Sequence, residues 1–513
     1  MELDGSEGAD VQGNVRGHAG PLRALRRAVA LAVLAAATAV AGSAGSSEGT
    51  PASEWRAANF DLSGRRATPS AAIDAANVKR LRVAWRFVFP ENTTFSGLDA
   101  ATPLVLGNRV FVQTLNSNVY ALDLATGHVL WHRRYDRIDG GPNGLAAAGN
   151  SLFGSTDRSV FALDRATGRQ LWLRRLTSPK QPIDVSPVAA DGVVVTSTTG
   201  MHPGGKGTLF ALDQRTGRVR WRFATVKGAW AVPSEAAGGG AWWPGSLGRG
   251  NTLYVGIGNA VPFGGSRSHP NGGAYAGPAL YTDSLLALNI RTGRLRWYDQ
   301  VVPHDVRDYD LAASPVISEH AGRETIFGAG KNGRVYAWDA STHRRLWSAS
   351  VGRHLNDTGP LPTHDVTVCP GLLGGVLTPM ALAAGRLFVP VVDLCYRGSA
   401  YGFPSFNTTD PATGGGELVA IAASSGRRLW TRRLPSPTFG CATVSRNVVF
   451  TATYAGAVYA FAAGNGRLLW KAQEPAGVNA CPAVAGDTLL VGAGAAPSTM
   501  RTPTPQLTSY RLG

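Results

Sequence analysis

The sequence has four cysteines, few lysines and no apolar run long enough for an ordinary membrane span. Each shortage excludes something. No Cys-x-x-Cys-His occurs, so no covalently attached haem is carried on this chain. No serine-nucleophile, zinc or phosphate motif is present, which leaves those chemistries without support. The formal charge is +16, yet the arginines are scattered, many at strand ends (Arg133 and Arg134, Arg174 and Arg175, Arg432 and Arg433). Neither a nucleic-acid motif nor a basic-aromatic stripe accompanies them, so no nucleic-acid partner is expected. Attraction to an acidic redox partner or an anionic surface stays open.

The main apolar run, "AVALAVLAAATAVAG" (28–42), is short and Ala-rich, follows Arg23, Arg26 and Arg27, and precedes small residues. It reads as a secretory signal over residues 1–45, with an uncleaved anchor as the alternative and the sole route to a membrane. No Cys follows it, which argues against a lipoprotein anchor. The expectation is an exported protein: secreted, periplasmic or in the cell envelope. Export permits disulfides, and four cysteines allow three pairings. Cys441 and Cys481 stand at equivalent points of successive repeats, and Cys369 and Cys395 flank one insertion. The pairs 369–395 and 441–481 are therefore expected, with buried free thiols as the alternative.

What the sequence has in quantity is glycine, 64 residues, and a repeat. "VYALDLATGHVLW" (119–131) recurs as "VFALDRATGRQLW" (160–172), "LFALDQRTGRVRW" (209–221), "LLALNIRTGRLRW" (285–297), "VYAWDASTHRRLW" (335–347), "LVAIAASSGRRLW" (418–430) and "VYAFAAGNGRLLW" (458–470). An alternating apolar strand meets a Thr-Gly turn, then a strand ending in Trp. Further strand signals, such as "ATPLVLGNRVFVQT", precede each unit, giving an antiparallel meander of about four strands. One such sheet cannot bury both faces; stacked radially, neighbours cover each other. An eighth unit is split between the termini: "NVKRLRVAW" (77–85) has the Trp strand and "QLTSYRL" (506–512) its partner. Joining them closes the ring and removes open edges. The predicted fold is all-β: an eight-bladed β-propeller of four-stranded antiparallel sheets over residues 46–513, a single domain. Two Trp-to-Trp intervals are long, 221 to 297 and 347 to 430, and mark insertions on a candidate binding face.

Repeat and insertions together resemble the pyrroloquinoline quinone (PQQ) dependent alcohol dehydrogenases, from about "EWRAANFDLSGRR" at Glu54 to the C-terminus. The repeat alone also resembles non-catalytic propellers of the same superfamily, including the outer-membrane assembly lipoprotein, so the site motifs carry the functional argument. "PHDVRDYD" (303–310) resembles the family's His-Asp-x-x-Asp segment, which implies Asp308 as catalytic base. "GIGNAVPF" resembles the segment supplying a metal-ligating Asn, here Asn259; "GGGAWW" resembles the one supplying the tryptophan floor under the cofactor, Trp243 with Trp242 as the alternative. "GKNG" matches the loop whose basic residue contacts the quinone oxygens, Lys331. An acid at the offset of Asp310 marks the lanthanide-preferring subgroup. Other features are missing: the vicinal Cys-Cys pair, where "GGPNGLAAAGNSLF" stands, and the metal-binding Glu, where His202 or Met201 stands in "TGMHPGGKG".

The implied chemistry has a physical basis. A quinone carbonyl accepts hydride more readily beside a hard cation and an ammonium. Calcium or a lanthanide would take oxygen ligands from Asn259, Asp308, Asp310 and the cofactor itself. In an extended strand Asp308 and Asp310 face one side. Asp308 would take the hydroxyl proton of a small or polymeric alcohol, and electrons would leave to an acceptor such as a cytochrome c. Taken alone, these aspartates would equally cap turns at a blade edge, His304 and Asp305 are expected to orient the loop, and the alternative is a cell-envelope binding or assembly scaffold without catalysis.

Overall fold

A computed structural model describes residues 54–90, 101–138, 141–179, 181–200, 205–227, 234, 236–273, 275, 277–403, 411–496 and 504–513. The proposed signal segment, Met201 and His202 lie outside the described residues. Eight antiparallel sheets are built from the repeat, and in each the fourth strand is the least buried. Blade one consists of Leu104–Leu106, Arg109–Gln113, Val119–Asp123 and Val129–Arg133. Blade four has inner strand Ser246–Gly248, blade five Val316–His320, blade six Ala381–Ala383 and blade seven Gly440–Ser445. Blade eight joins the termini as expected: Leu81–Val88 lies antiparallel on Gln506–Leu512, with Val83 opposite Tyr510. Both expected disulfides, Cys369–Cys395 and Cys441–Cys481, are formed. Among the described residues no helix is long and apolar enough to cross a membrane.

The repeat signature explains how blades lock together. Asp123 Oδ1 accepts the N–H groups of Ala125 and Thr126 and the Thr126 hydroxyl, fixing the turn. The Trp ending one blade lies on the turn glycine of the next. A Cβ on Gly217, where φ is +66°, would stand 2.7 Å from the Trp172 ring. The Trp172 indole N–H donates to Gln214 O in the same turn at 2.9 Å. Equivalent bonds link Trp85 to Leu124, Trp131 to Arg165, Trp221 to Ile290, Trp347 to Ala423 and Trp430 to Ala463. Blade five lacks the glycine; His343 takes the left-handed φ of +61° instead and stacks on Trp297, centroids 5.2 Å apart.

One element has no signature in the repeat. The segment from Trp55 to Thr68 crosses one end of the ring and hydrogen-bonds successive inner strands: Trp55 with Val105, then Leu247 N–H to Leu62 O, Ile317 to Ser63, Leu382 to Arg65 and Val444 to Arg66. Ala67–Thr68 adds a parallel fifth strand to blade seven. Arg66 is fully buried, and its guanidinium donates to Ala58 O, Asn59 Oδ1, Thr443 Oγ1, Ala442 O and Pro482 O. A charge without a carboxylate partner is tolerated because polar oxygens surround it.

Gly217→Ala forces a Cβ into the Trp172 ring at a backbone angle that disfavours L-residues. It is expected to cost roughly 2–4 kcal/mol, read as a lower urea midpoint; an unchanged midpoint refutes the interlock.

Candidate active site

Connections from an outer strand to the next inner strand, and loops between second and third strands, emerge at the same end of an antiparallel blade. Trp243, Asp308 and Asp310 lie on connections of the first kind; Asn259 and Lys331 lie on loops of the second. Two inserted ribbons stand there as well, Ala237–Gly238 with Ala260–Val261 and Val366–Val368 with Tyr396–Gly398. The insertions pack on each other through Phe263 and Phe403, stacked with centroids 5.0 Å apart.

The carboxylates of "PHDVRDYD" have divided roles. Asp305 holds the loop: its oxygens accept the N–H groups of Arg307 at 2.9 Å and Tyr309 at 2.7 Å. Burial pushes its pKa up to about 6, partly offset by those two donors. The Arg307 guanidinium reaches Asn356 O and Gly359 O in the second insertion, and the Tyr309 hydroxyl donates to Pro370 O. The tight turn leaves Asp308 with φ at +68°, so the segment is a loop and strand alternation does not apply to it. Asp308 and Asp310 nonetheless converge, because a third group draws them together. The Lys331 ammonium lies 2.7 Å from Asp308 Oδ2 and 2.6 Å from Asp310 Oδ2. All three residues are buried. Burial pushes the Asp308 carboxyl well above its usual range, and the Lys331 charge pulls it back. The Lys331 ammonium is raised by its two acids despite burial. Gly330 permits the approach, since a Cβ there would stand 2.3 Å from Asp310 O.

Asn259 joins the cluster through its backbone N–H, 2.7 Å from Asp310 Oδ1. Its side-chain NH₂ donates to Ala260 O, which leaves the amide oxygen as the side-chain acceptor. A Cβ on Gly258 would meet Asp310 Oδ1 at 2.6 Å and Trp242 Nε1 at 3.1 Å, so Trp242 adjoins the carboxylates. Its neighbour Trp243 is buried and donates its indole N–H to Leu377 O of the blade-six connection at 2.7 Å. The structure thus brings Asn259, Asp308, Asp310 and Lys331 together, with the Trp242 indole alongside and Trp243 packed behind Trp242.

Asp283 was missed by sequence reasoning, although "YTDSLLAL" carries an acid at the mouth of an apolar strand. It is fully buried with neither carboxylate oxygen hydrogen-bonded. Its N–H donates to Gly258 O. Burial, then Asp305 and Asp310, raises its pKa well above the usual carboxylate value.

The donor set fits a hard cation by chemistry: an amide and two carboxylates, all oxygen, beside the orphaned Asp283. Among the described residues no three acidic, imidazole or thiol side chains converge at ion-binding spacing. Such an ion would take its remaining ligands from the quinone.

Ring and cluster together define a quinoprotein-type propeller. A family profile described as "Outer membrane protein assembly factor BamB" matches residues 115–369 and 398–503, and the chain belongs to that family. A second profile, "Glucose/ethanol/alcohol dehydrogenase, beta-propeller domain", matches residues 55–146. Quinohemoprotein alcohol dehydrogenase ADH IIB of Pseudomonas putida is 29% identical over 340 residues, 58% of this chain and 48% of its own length. Quinoprotein alcohol dehydrogenase PedH of Pseudomonas putida is 28% identical over 468 residues, 76% of this chain and 77% of its own. The chain spans about half the length of most curated relatives it matches. The solved quinohemoprotein alcohol dehydrogenase ADHIIG of Pseudomonas putida HK5 superposes with a TM-score of 0.77 at 22% identity, covering 90% of this chain and 80% of that one. The chain is thus a quinoprotein alcohol dehydrogenase-like eight-bladed propeller.

Because the folded protein holds a proton on Asp283 more tightly than the unfolded chain, this residue's penalty is absent at low pH. The penalty grows as pH rises from the ordinary carboxylate pKa to the raised one. Asp283→Asn in the cofactor-free protein is expected to raise the melting temperature at pH 8 by roughly 2–4 °C, with the gain vanishing toward pH 4. A gain independent of pH would contradict the assignment.

Proposed function

We propose that the protein is an exported PQQ-dependent dehydrogenase that oxidises an alcohol. The observation that carries this reading is the buried Asp308–Lys331–Asp310 arrangement, with Asn259 on one side and the Trp242 indole nearby. A turn-capping role accounts for Asp305, whose oxygens are spent on backbone N–H groups. It does not account for Asp308 Oδ2 or Asp310 Oδ2, which share an ammonium, although Asp310 Oδ1 accepts the Asn259 N–H.

When bound, the quinone supplies the hydride acceptor, and calcium or a lanthanide polarises its carbonyl. Trp243, or Trp242 beside it, offers a flat apolar face to the ring system. Asn259, Asp308 and Asp310 would hold the ion through oxygen. Asp308 takes the alcohol's hydroxyl proton at a carboxylate oxygen. Lys331 pulls that carboxyl back toward ionisation, against the burial that raises it and the neighbouring charge of Asp310, and a bound cation would pull the same way. The ammonium would also stabilise negative charge on a quinone oxygen held beside it. Burial excludes water, which strengthens each of these interactions. Electrons leave to an acceptor such as a cytochrome c, and the net charge of +16 favours an acidic one.

A second reading has its own support. The family profile covering most of the chain bears the description of an assembly factor, and the vicinal thiols and ligating Glu expected from the resemblance are missing. On that reading the protein is a cell-envelope scaffold.

The two separate on reconstitution with PQQ plus calcium or a lanthanide. Quinone uptake and dye reduction with an alcohol panel are expected for the enzyme. Asp308→Asn should keep quinone binding and lower kcat by about 10²–10⁴-fold. No uptake with any ion leaves the scaffold.

A further inference from the structure

The connections into the inner strands carry, ahead of a proline, Thr102, Ser186, Trp243, Ser314, Thr378 and Cys481; Cys441 takes the matching place in blade seven. Most of these side chains are small. The exceptions are one indole and one disulfide, and they pack on each other. Trp243, Cys441 and Cys481 form a buried cluster of their own, with Trp242 against it.

Trp243 departs from blade four, yet its contacts lie in blades six, seven and eight. Its N–H donates to Leu377 O at 2.7 Å. A single hydrogen bond fixes the edge of an indole but leaves the ring free to rock about it. The second contact is the pair of sulfur atoms, which are polarisable and pack favourably on aromatic rings. Those sulfurs are themselves held. Ala442 and Pro482 directly follow the two cysteines, and their carbonyls both accept from Arg66, at 3.0 and 2.7 Å. The clamp sits where it has most to restrain, because blade eight is assembled from the two ends of the chain.

We propose that the Cys441–Cys481 disulfide is a positioning element of the cofactor site, fixing the Trp243 indole across the ring axis together with Leu377 O. Its effect on the quinone rests on the dehydrogenase reading; its effect on the indole does not. Without the disulfide, blades seven and eight remain joined by Arg66 and by strand packing, so the propeller keeps its fold while the platform loosens.

The test uses the full chain labelled with ¹⁵N-tryptophan, with the Trp243 indole resonance assigned by its loss in Trp243→Phe. In Cys441→Ala/Cys481→Ala, indole N–H exchange at Trp243 is expected to quicken at least tenfold, and PQQ affinity to fall at least tenfold. Cys369→Ala/Cys395→Ala, which removes the other disulfide, should leave the Trp243 exchange as it was. Unchanged exchange in the first variant overturns the proposal, and so does equal acceleration in both. Should the first variant fail to fold, phosphine reduction of the folded Cys369→Ala/Cys395→Ala protein makes the same comparison, the phosphine becoming its oxide as the disulfide becomes two thiols. Faster exchange then supports the proposal and unchanged exchange overturns it. If the unaltered protein takes up no PQQ, the dehydrogenase reading fails and exchange alone decides the role of the disulfide.

Discussion

A single ammonium balances the centre of this molecule. Lys331 lies between Asp308 and Asp310, all three shielded from water, while Asp283 and Asp305 add to the local negative field. Buried carboxylates repel unless a cation joins them. The fold meets that requirement with one of its few lysines, delivered by the loop between the second and third strands of blade five. A planar arginine fork would suit one carboxylate face-on; a compact ammonium can serve two at once. The loop from Asp305 to Asp310, the approach of Gly330, and the backbone bond from Asn259 to Asp310 all follow from that junction.

The ring makes the junction possible. Neighbouring blades are registered by the same device, a tryptophan laid on a glycine turn with its N–H tied to that turn, and the registration fixes loops far apart in sequence. The Trp55–Thr68 segment then closes one end. The insertions that lengthen two of the repeats add paired ribbons among the same connections that carry Asn259, Asp308, Asp310 and Lys331.

Much of this was legible in the sequence because the repeat is periodic. Blade count, the split eighth blade and the cysteine pairs all follow from aligning equivalent positions. Asn259, Asp308, Asp310 and Lys331 were legible because each stands in a short segment with its own resemblance, and the structure puts them in contact. Other features were not legible, for physical reasons. The Trp55–Thr68 segment makes its bonds through backbone groups, which leave no pattern of side chains. His343 shows that a turn glycine can be replaced where an aromatic neighbour accepts the ring, which an alignment reads only as a lapse. Asp283 looked like a strand-edge acid because nothing local reveals that the Asp305–Asp310 loop, 20 or more residues on, packs against it. An extended strand would align Asp308 and Asp310 by alternation; here a left-handed turn and a shared lysine bring them together.

The claim on which the functional account stands is that one flat guest and one hard ion belong beside Lys331. Crystals grown with PQQ and lanthanum, measured for anomalous scattering, locate the ion directly. The account predicts a peak within ligating distance of Asn259 Oδ1 and Asp308, with quinone density between Lys331 and an indole face. An ion bound elsewhere, with the carboxylates of Asp308 and Asp310 still closed on Lys331 alone, would contradict it.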